Sequence, residues 1–131
     1  MIRLVLDTNT LISALGWKDS NPRKILDRCL AGKYVLIESL ELLKEFLIVI
    51  QRPKFDFIPE EDKKEFLTCL MNICELVEPE EKLDVIEDDP ADNIVLECAL
   101  AGKADYIITG DEHLLRLKEF KGMKIVSRRS F

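Results

Sequence analysis

Two aspartates in this sequence follow short apolar segments that are typical of buried strands. Asp7 comes directly after Ile2–Leu6, and Asp111 follows Asp105–Thr109 after a single glycine. The carboxyl ends of parallel strands meet at one edge of a sheet, where open α/β proteins bind their ligands. Further acids can reach this edge from predicted helices. They are Glu41 or Glu45, and Asp88, Asp89 or Asp92.

Carboxylates that converge on one edge repel each other, and a bound cation relieves the repulsion. Mg²⁺ and Mn²⁺ prefer oxygen ligands and retain several waters, so a few carboxylates are enough to hold them. A metal-bound water is a nucleophile near neutral pH, and one or two ions can stabilise both oxygens of an in-line phosphoryl displacement. The acids therefore indicate metal-dependent chemistry at phosphorus. The chain contains no Gly-x-x-x-x-Gly-Lys, Gly-x-Gly-x-x-Gly or Gly-x-Ser-x-Gly sequence, which argues against a nucleotide-binding loop or a serine nucleophile.

Each of these acids also has a simpler structural interpretation. Asp7, Asp89 and Asp111 are placed to cap helices, as aspartate commonly does. Asp92 lies in the first turn of a predicted helix, where a negative charge is favourable. Glu45 belongs to a polar stripe that solvent alone would explain. Spacing does not choose between these interpretations for any single residue.

The histidine and the cysteines do not extend the predicted site. His113 is the only histidine, and a lone histidine in a short helix is more often a packing or surface residue, so we leave it out. The cysteines form no Cys-x-x-Cys pair and lie among apolar residues, which favours small buried hydrophobic side chains over metal ligands or disulfides. They are Cys29, Cys69, Cys74 and Cys98.

Strands alternate with helices along the chain. This alternation predicts βαβ units with right-handed crossovers and a mostly parallel sheet covered on both faces. The fold class is therefore α/β, a three-layer α/β/α domain with a central sheet of four to five strands. The predicted strands are 2–6, 34–37, 75–77, 105–109 and 123–126, and the predicted helices are 10–15, 22–30, 40–51, 60–74, 89–101 and 111–117.

Length and composition agree with one soluble domain over residues 1–131. A hydrophobic fraction of 47 % is enough for a full core, and 131 residues suit a single compact unit. No apolar run approaches the ~18–20 residues that a membrane span needs. The N-terminus lacks the basic region and cleavage site of a secretory signal. We therefore expect a cytoplasmic protein with no membrane segment.

The net charge of −6 is unevenly distributed. Residues 38–97 contain 18 acidic and 6 basic residues, whereas residues 115–131 contain 6 basic residues and one acid. The acidic region suits metal binding, and the basic segment suits a polyanion or an acidic partner. Solvated faces that happen to segregate would produce the same distribution.

Four short motifs, taken together, resemble the PIN domain family. Their order and spacing are similar to those of the toxin components of bacterial and archaeal toxin–antitoxin modules, over residues 2 to about 127. The motifs are Leu-Asp-Thr-Asn at 6–9, a helix with Glu45-Phe46 that runs into Arg52-Pro53-Lys54, Asp89-Pro90-Ala91-Asp92-Asn93, and Ile-Thr-Gly-Asp at 108–111.

The resemblance implies roles for individual residues. Asp7, Glu45, Asp92 and Asp111 would form an acidic quartet that holds Mg²⁺ or Mn²⁺, and the family pattern thereby prefers Glu45 to Glu41. Asn9 and Thr109 match positions that support the site by hydrogen bonding. Such domains are typically metal-dependent endoribonucleases that act on single-stranded or structured RNA. They often form homodimers, and an antitoxin encoded beside them blocks the site.

An RNA substrate requires basic residues that neutralise phosphates, the dominant and salt-sensitive contribution to such binding. The chain has no long basic stripe, so the candidates are scattered over the second predicted helix and the basic segment after residue 115. They are Arg23, Lys24, Arg28, Arg116 and Lys118.

Two other functions compete with this interpretation. An aspartyl-phosphate phosphotransferase would use Asp7 as the nucleophile and Thr109 nearby, but such phosphatases usually carry a second acid where this chain has Asn9. A non-catalytic PIN-like module would bind RNA or protein without cutting it. The full acidic quartet argues against the latter, because a scaffold needs no metal site.

Overall fold

The computed structural model describes residues 1–87 and 89–131, and within them six strands form one sheet. The strand order is β3-β2-β1-β4-β6-β5, and every neighbouring pair is parallel except β5 with β6. The mostly parallel α/β architecture predicted from the sequence is confirmed. The strands are β1 (Ile2–Leu6), β2 (Tyr34–Ser39), β3 (Glu75–Val77), β4 (Tyr106–Thr109), β5 (Glu119–Phe120) and β6 (Met123–Ser127).

Helices cover both faces of this sheet. None of the helices in the described part of the chain is long and apolar enough to cross a membrane. In chain order they are α1 (Thr8–Gly16), α2 (Asn21–Leu30), α3 (Leu40–Ile50), α4 (Glu60–Ile73), α5 (Ala91–Ala101) and α6 (Glu112–Leu115), with a short 3₁₀ turn at Pro53–Phe55.

The sheet has one more strand than the four to five expected. The additional strand, β5, is two residues long and pairs antiparallel with β6 through a tight turn. Lys121 and Gly122 form this turn with φ values of 48° and 87°, the left-handed pair that two-residue hairpins require. A strand of two residues shows no periodicity, so the sequence pattern did not reveal β5. The helix predicted over 111–117 is also shorter in the structure and ends at Leu115.

Alternate strand residues face two hydrophobic layers, as a three-layer fold requires. Among the described residues, one cluster joins Leu4, Leu6, Leu36 and Ile108 to helices α1 to α4. The other joins Val5, Ile37, Ile107 and Ile125 to α5 and α6. The sheet residues in both clusters are almost fully buried, so the strand ends are held firmly from both sides.

The chain reverses its direction of travel across the sheet between β1 and β4. It moves outward from β1 to β2 and β3, and then returns to place β4 on the other side of β1. The register pairs Leu6 with Ile108, so β1 and β4 end side by side. Ligand sites of open α/β sheets lie in the crevice at such a reversal, and Asp7 and Asp111 flank it.

Helix α5 approaches the sheet so closely that the residue capping its C-terminus, Gly102, has no room for a side chain. A Cβ added to Gly102, which ends α5, would lie 2.5 Å from Cγ2 and 3.0 Å from Cδ1 of Ile37 on β2. The backbone of Gly102 has φ −87°, which any residue can adopt. Glycine is therefore required at position 102 by the lack of space beside Ile37, not by backbone conformation, and it allows α5 to pack closely on the sheet.

We expect Gly102→Ala to lower the free energy of unfolding by about 1–3 kcal/mol, because a well-packed core must shift to accept a methyl group. Urea unfolding followed by circular dichroism measures this change. Gly16→Ala is the matched control, since its added Cβ would meet Ile58 Cδ1 at an ordinary 3.4 Å. Equal stability of the two variants would contradict the close seating of α5.

Candidate metal-binding site

Asp7 is almost buried at the end of β1, with 6 % of its surface exposed. Its Oδ1 accepts a hydrogen bond of 3.0 Å from the Thr10 backbone N–H, which caps α1. Its Oδ2 accepts one from the Thr109 hydroxyl. Burial raises the pKa of Asp7, while the hydrogen bonds from Thr10 and Thr109 and the charge of Arg128 partly oppose the rise. The capping interpretation of Asp7 is thus correct, and it fixes the carboxylate at the crevice.

Thr109 connects Asp7 to Asp111. Its fully buried hydroxyl donates to Asp7 and accepts a 2.9 Å hydrogen bond from the Asp111 backbone N–H. Asp111 in turn caps α6, because its Oδ1 accepts from the His113 backbone N–H at 2.8 Å. The ends of β1 and β4 are therefore linked through the Thr109 side chain.

A second group of acids gathers beside Asp111. Ligand atoms of Asp89, Asp92, Asp111 and His113 all lie within 4.8 Å of one another. Asp92, on the first turn of α5, is 8 % exposed, and its Oδ2 has no hydrogen-bond donor among the described residues. A buried carboxylate oxygen without a donor is costly unless another partner is bound.

The pKa of Asp92 reflects this crowding directly. Burial raises this pKa most. A hydrogen bond with Asp111 and the negative charges of Asp111, Asp89 and Asp7 raise it further, to about 8. The charges of three other aspartates act on this one carboxyl, so Asp7 belongs electrostatically to the same cluster. A divalent cation bound here would offset these unfavourable contributions, because its positive charge favours the ionised carboxylates.

Glu45 faces the cluster from α3. Burial raises its pKa most, the Thr8 hydroxyl lowers it, and the charges of Asp7 and Asp89 raise it further. Glu41, one turn earlier, instead accepts a 2.9 Å hydrogen bond from the Lys82 ammonium group. The structure thus separates two glutamates that spacing could not distinguish, and only Glu45 is directed at the acids.

Two residues that sequence reasoning ranked low or omitted lie in the cluster. Asp89, placed below Asp92 from the sequence, accepts from the Ala91 backbone N–H at 3.2 Å and keeps an oxygen near Asp92 and Asp111. His113, which was left out of the predicted site, lies beside these acids, with its Nδ1 3.5 Å from Asp111 Oδ1 and 3.9 Å from Asp92 Oδ2. Its position two residues after a strand-end aspartate was the available signal. Asp88, the remaining candidate, lies outside the described residues.

Asn9 occupies the rim of the site rather than its interior. Its side chain is exposed and lines a depression together with Gly110 and Asp111. It is therefore placed to meet a bound molecule instead of supporting the buried carboxylates.

The basic residues proposed from the sequence are mostly engaged elsewhere. Arg23 donates to the Ala14 carbonyl at 3.2 Å, and Arg28 donates to the Tyr34 hydroxyl at 3.3 Å, near the start of β2 and thus at the opposite edge of the sheet. Arg116 lies 4.0 Å from Glu112. Lys24 and Lys118 are exposed.

A family model described as the PIN domain matches residues 3–113 of this chain. The chain belongs to the PIN domain family. One relative of this PIN domain is the uncharacterised protein MJ1680 of Methanocaldococcus jannaschii. It is 35 % identical over 127 residues, which cover 95 % of this chain and 81 % of that protein.

Two solved structures share the fold of this PIN domain. VapBC2 from Rickettsia felis, bound to a DNA fragment from its promoter, matches with a TM-score of 0.65 at 15 % identity, over 96 % of this chain and 98 % of that chain. PAE2754 from Pyrobaculum aerophilum matches with a TM-score of 0.62 at 13 % identity, over 98 % and 85 % of the two chains. At such low identities the likeness establishes the fold alone.

We expect metal-free Asp92→Asn to be more stable than the wild type, with a difference that grows as pH rises from about 4 to about 8. The folded-state pKa of Asp92, about 8, lies above its ordinary value of 3.8, so the wild type loses stability as pH rises through this interval. Asparagine cannot ionise and escapes the loss. Thermal melting in EDTA at several pH values measures the difference, which we expect to reach several degrees at pH 8.

Asp84→Asn is the matched control, because Asp84 is exposed in the loop before α5. Its melting temperature should follow that of the wild type at every pH. If Asp92→Asn also follows the wild type, or is less stable at pH 8, the repulsion described here is absent.

Proposed function

We propose that this PIN domain is a metal-dependent endoribonuclease that holds Mg²⁺ or Mn²⁺ with Asp7, Glu45, Asp92 and Asp111. The observation that carries the proposal is the buried Asp92 carboxylate, which has an oxygen without a donor among the described residues and a pKa raised by neighbouring acids. Without a cation, this arrangement only destabilises the fold. Strongly perturbed carboxyls in a crevice are typical of functional sites.

The donor set fits a hard divalent ion. All four proposed ligands offer carboxylate oxygens, the ligand type preferred by Mg²⁺ and Mn²⁺. Asp89 and His113 have atoms close enough to join the same site. When bound, such an ion polarises a phosphoryl oxygen and lowers the pKa of water, as hydrolysis of a phosphodiester requires.

The protein's own groups prepare the site before any ion or substrate arrives. Thr109 holds Asp7 and the Asp111 backbone in one arrangement, and the helix caps restrict the rotation of both aspartates. The carboxyls act on one another and titrate as a coupled set, so we assign the general base to the set rather than to one residue.

RNA as the substrate rests on the resemblance of the four motifs to the toxin branch of PIN domains. The fold shared with the VapBC2 structure supports the further proposal that this chain is the toxin of a toxin–antitoxin pair. A homodimer is also proposed, since α3 exposes Leu40, Leu47 and Ile48 by 56 %, 43 % and 69 %. Such an apolar face suits a protein interface.

The aspartyl-phosphate alternative gains no support from the geometry. Both Asp7 oxygens accept hydrogen bonds, and 6 % of the residue is exposed, so neither oxygen is presented for attack on a phosphodonor. A non-catalytic module would have no reason to keep mutually repelling acids in its interior.

We expect Asp7→Asn to reduce Mn²⁺-dependent cleavage of single-stranded RNA by at least about 100-fold, the scale on which removal of one transition-state-stabilising group acts. EDTA should abolish cleavage by the wild type. An asparagine oxygen can still accept from the Thr10 N–H, so the fold should survive. A fluorescently labelled RNA, resolved on a denaturing gel, measures cleavage, and circular dichroism checks the fold.

Asp84→Asn serves as the control and should cleave like the wild type. Undiminished cleavage by Asp7→Asn would show that the acidic cluster does not carry the reaction. Absence of Mn²⁺ binding at millimolar concentration, measured by calorimetry, would favour the non-catalytic module instead.

A further inference from the structure

A groove runs along the surface from the acidic site past Trp17. Two adjoining depressions among the described residues, of about 380 Å³ and 330 Å³, share Ser13, Trp17 and Arg128 in their linings. The larger one also reaches Asp111, so it opens directly onto the proposed metal site. The smaller one continues toward Arg129. A molecule held at the acids therefore has a continuous path across Trp17.

Arg128 stands at the junction of the groove and the acidic site. It follows β6, whose register pairs Ser127 with Thr109, so the arginine lies beside the end of β4. Its Nη1 donates to the Ser13 hydroxyl at 2.9 Å, and its guanidinium packs against Gly110 so closely that a Cβ there would lie 2.9 Å from Cζ. None of the ion pairs among the described residues includes Arg128, although its charge acts on the Asp7 carboxyl and lowers the pKa of that group.

The basic segment near the C-terminus is divided between the two edges of the sheet. Lys124, at the start of β6, borders a cavity with Met1 and Asp105, at the edge opposite the acids. Arg128 and Arg129 follow the end of the same strand and line the groove. In a chain with a net charge of −6, this places positive charge beside the acidic site, where a polyanion would need it.

Trp17 lines the groove, and Phe57 packs against it and extends the exposed aromatic surface. They are 52 % and 58 % exposed, and their ring centroids lie 5.6 Å apart with an interplanar angle of 59°. Trp17 ends α1, and the preceding Gly16 lies against Phe57 and Ile58, which brings the two rings together. Exposed aromatic faces beside cations are the usual platform for unpaired nucleobases.

We propose that this groove binds single-stranded RNA, with a nucleobase stacked on Trp17 and an adjoining phosphate on Arg128, next to the bond that the acidic site cleaves. The proposal rests on the function proposed above and adds the residues that hold a nucleobase and a phosphate beside the cleaved bond. A double-stranded RNA hides its base faces within the stack, so Trp17 would have no face to contact. The positive charge of Arg128 favours this polyanion over an apolar protein segment.

Trp17 makes the test direct, because it is the only tryptophan in the chain. Intrinsic fluorescence of the wild-type protein, titrated with a single-stranded RNA hexamer in EDTA, reports stacking without cleavage. We expect saturable quenching by the hexamer, and none by a blunt duplex of the same sequence. Arg128→Gln should weaken binding of the hexamer about tenfold at low salt. It should also reduce the slope of log affinity against log salt concentration by about one.

Lys64→Gln is the matched charge control, since Lys64 is exposed on α4 and lines neither of the two depressions. It should bind the hexamer like the wild type. In cleavage assays with Mn²⁺, Trp17→Ala should raise KM about tenfold with little change in kcat. Trp17→Phe should have a KM close to that of the wild type, because a phenyl ring still stacks on a nucleobase. Circular dichroism melting confirms that the variants fold.

The outcomes separate this proposal from the proposed function. Quenching by the hexamer without any Mn²⁺-dependent cleavage would support the groove and overturn the ribonuclease. Cleavage with unchanged Trp17 fluorescence and an unchanged KM for Trp17→Ala would support the ribonuclease and overturn the groove. Equal quenching by the duplex would overturn the proposal, as would a response of Trp17 only to a protein encoded beside this gene.

Discussion

The hydrogen bond from Thr109 to Asp7 is the interaction on which the site depends. It crosses from the end of β4 to the end of β1, where the parallel register places the two strands side by side. The same hydroxyl accepts from the Asp111 backbone, so one buried side chain determines where two aspartates stand. Two hydrophobic layers hold these strand ends, and a packed interior does not deform gradually. The core therefore fixes the strand ends, and the Thr109 hydroxyl fixes the two aspartates that follow them.

This positioning works against stability in the absence of a cation. Burial raises the pKa values of Asp7, Glu45 and Asp92, and neighbouring negative charges raise those of Glu45 and Asp92 further, so each shift disfavours the ionised form in the folded state. Glu38, fully buried on β2 and without a hydrogen-bond partner among the described residues, has a raised pKa for the same reasons, burial first and the charge of Asp7 second. Such unfavourable groups concentrate where binding compensates for them. The proposed RNA substrate would meet the acidic crevice and, in the neighbouring groove, the positive charges of Arg128 and Arg129.

Much of this architecture could be predicted from the residues. Apolar strands that end on Asp7 and Asp111 indicated the edge of the sheet, and the helix and strand boundaries followed from periodicity and caps. The prediction was incomplete where a contact joins segments far apart in the chain. Glu41 and Glu45 share a helical face, and only the ion pair of Glu41 with Lys82 separates them. The side chain of His113 depends on a one-turn helix, for which periodicity carries no information.

The sequence by itself determined the α/β class, the acidic residues and their order along the chain, because hydrophobic period and residue type are local properties. The tertiary structure decided which acids meet, that His113 joins them, and that Trp17 and Arg128 share a groove although more than 100 residues separate them. These outcomes depend on the strand order β1-β4-β6, which brings the ends of three strands to one edge. No local pattern encodes that order, since it results from how all the apolar faces are buried at once.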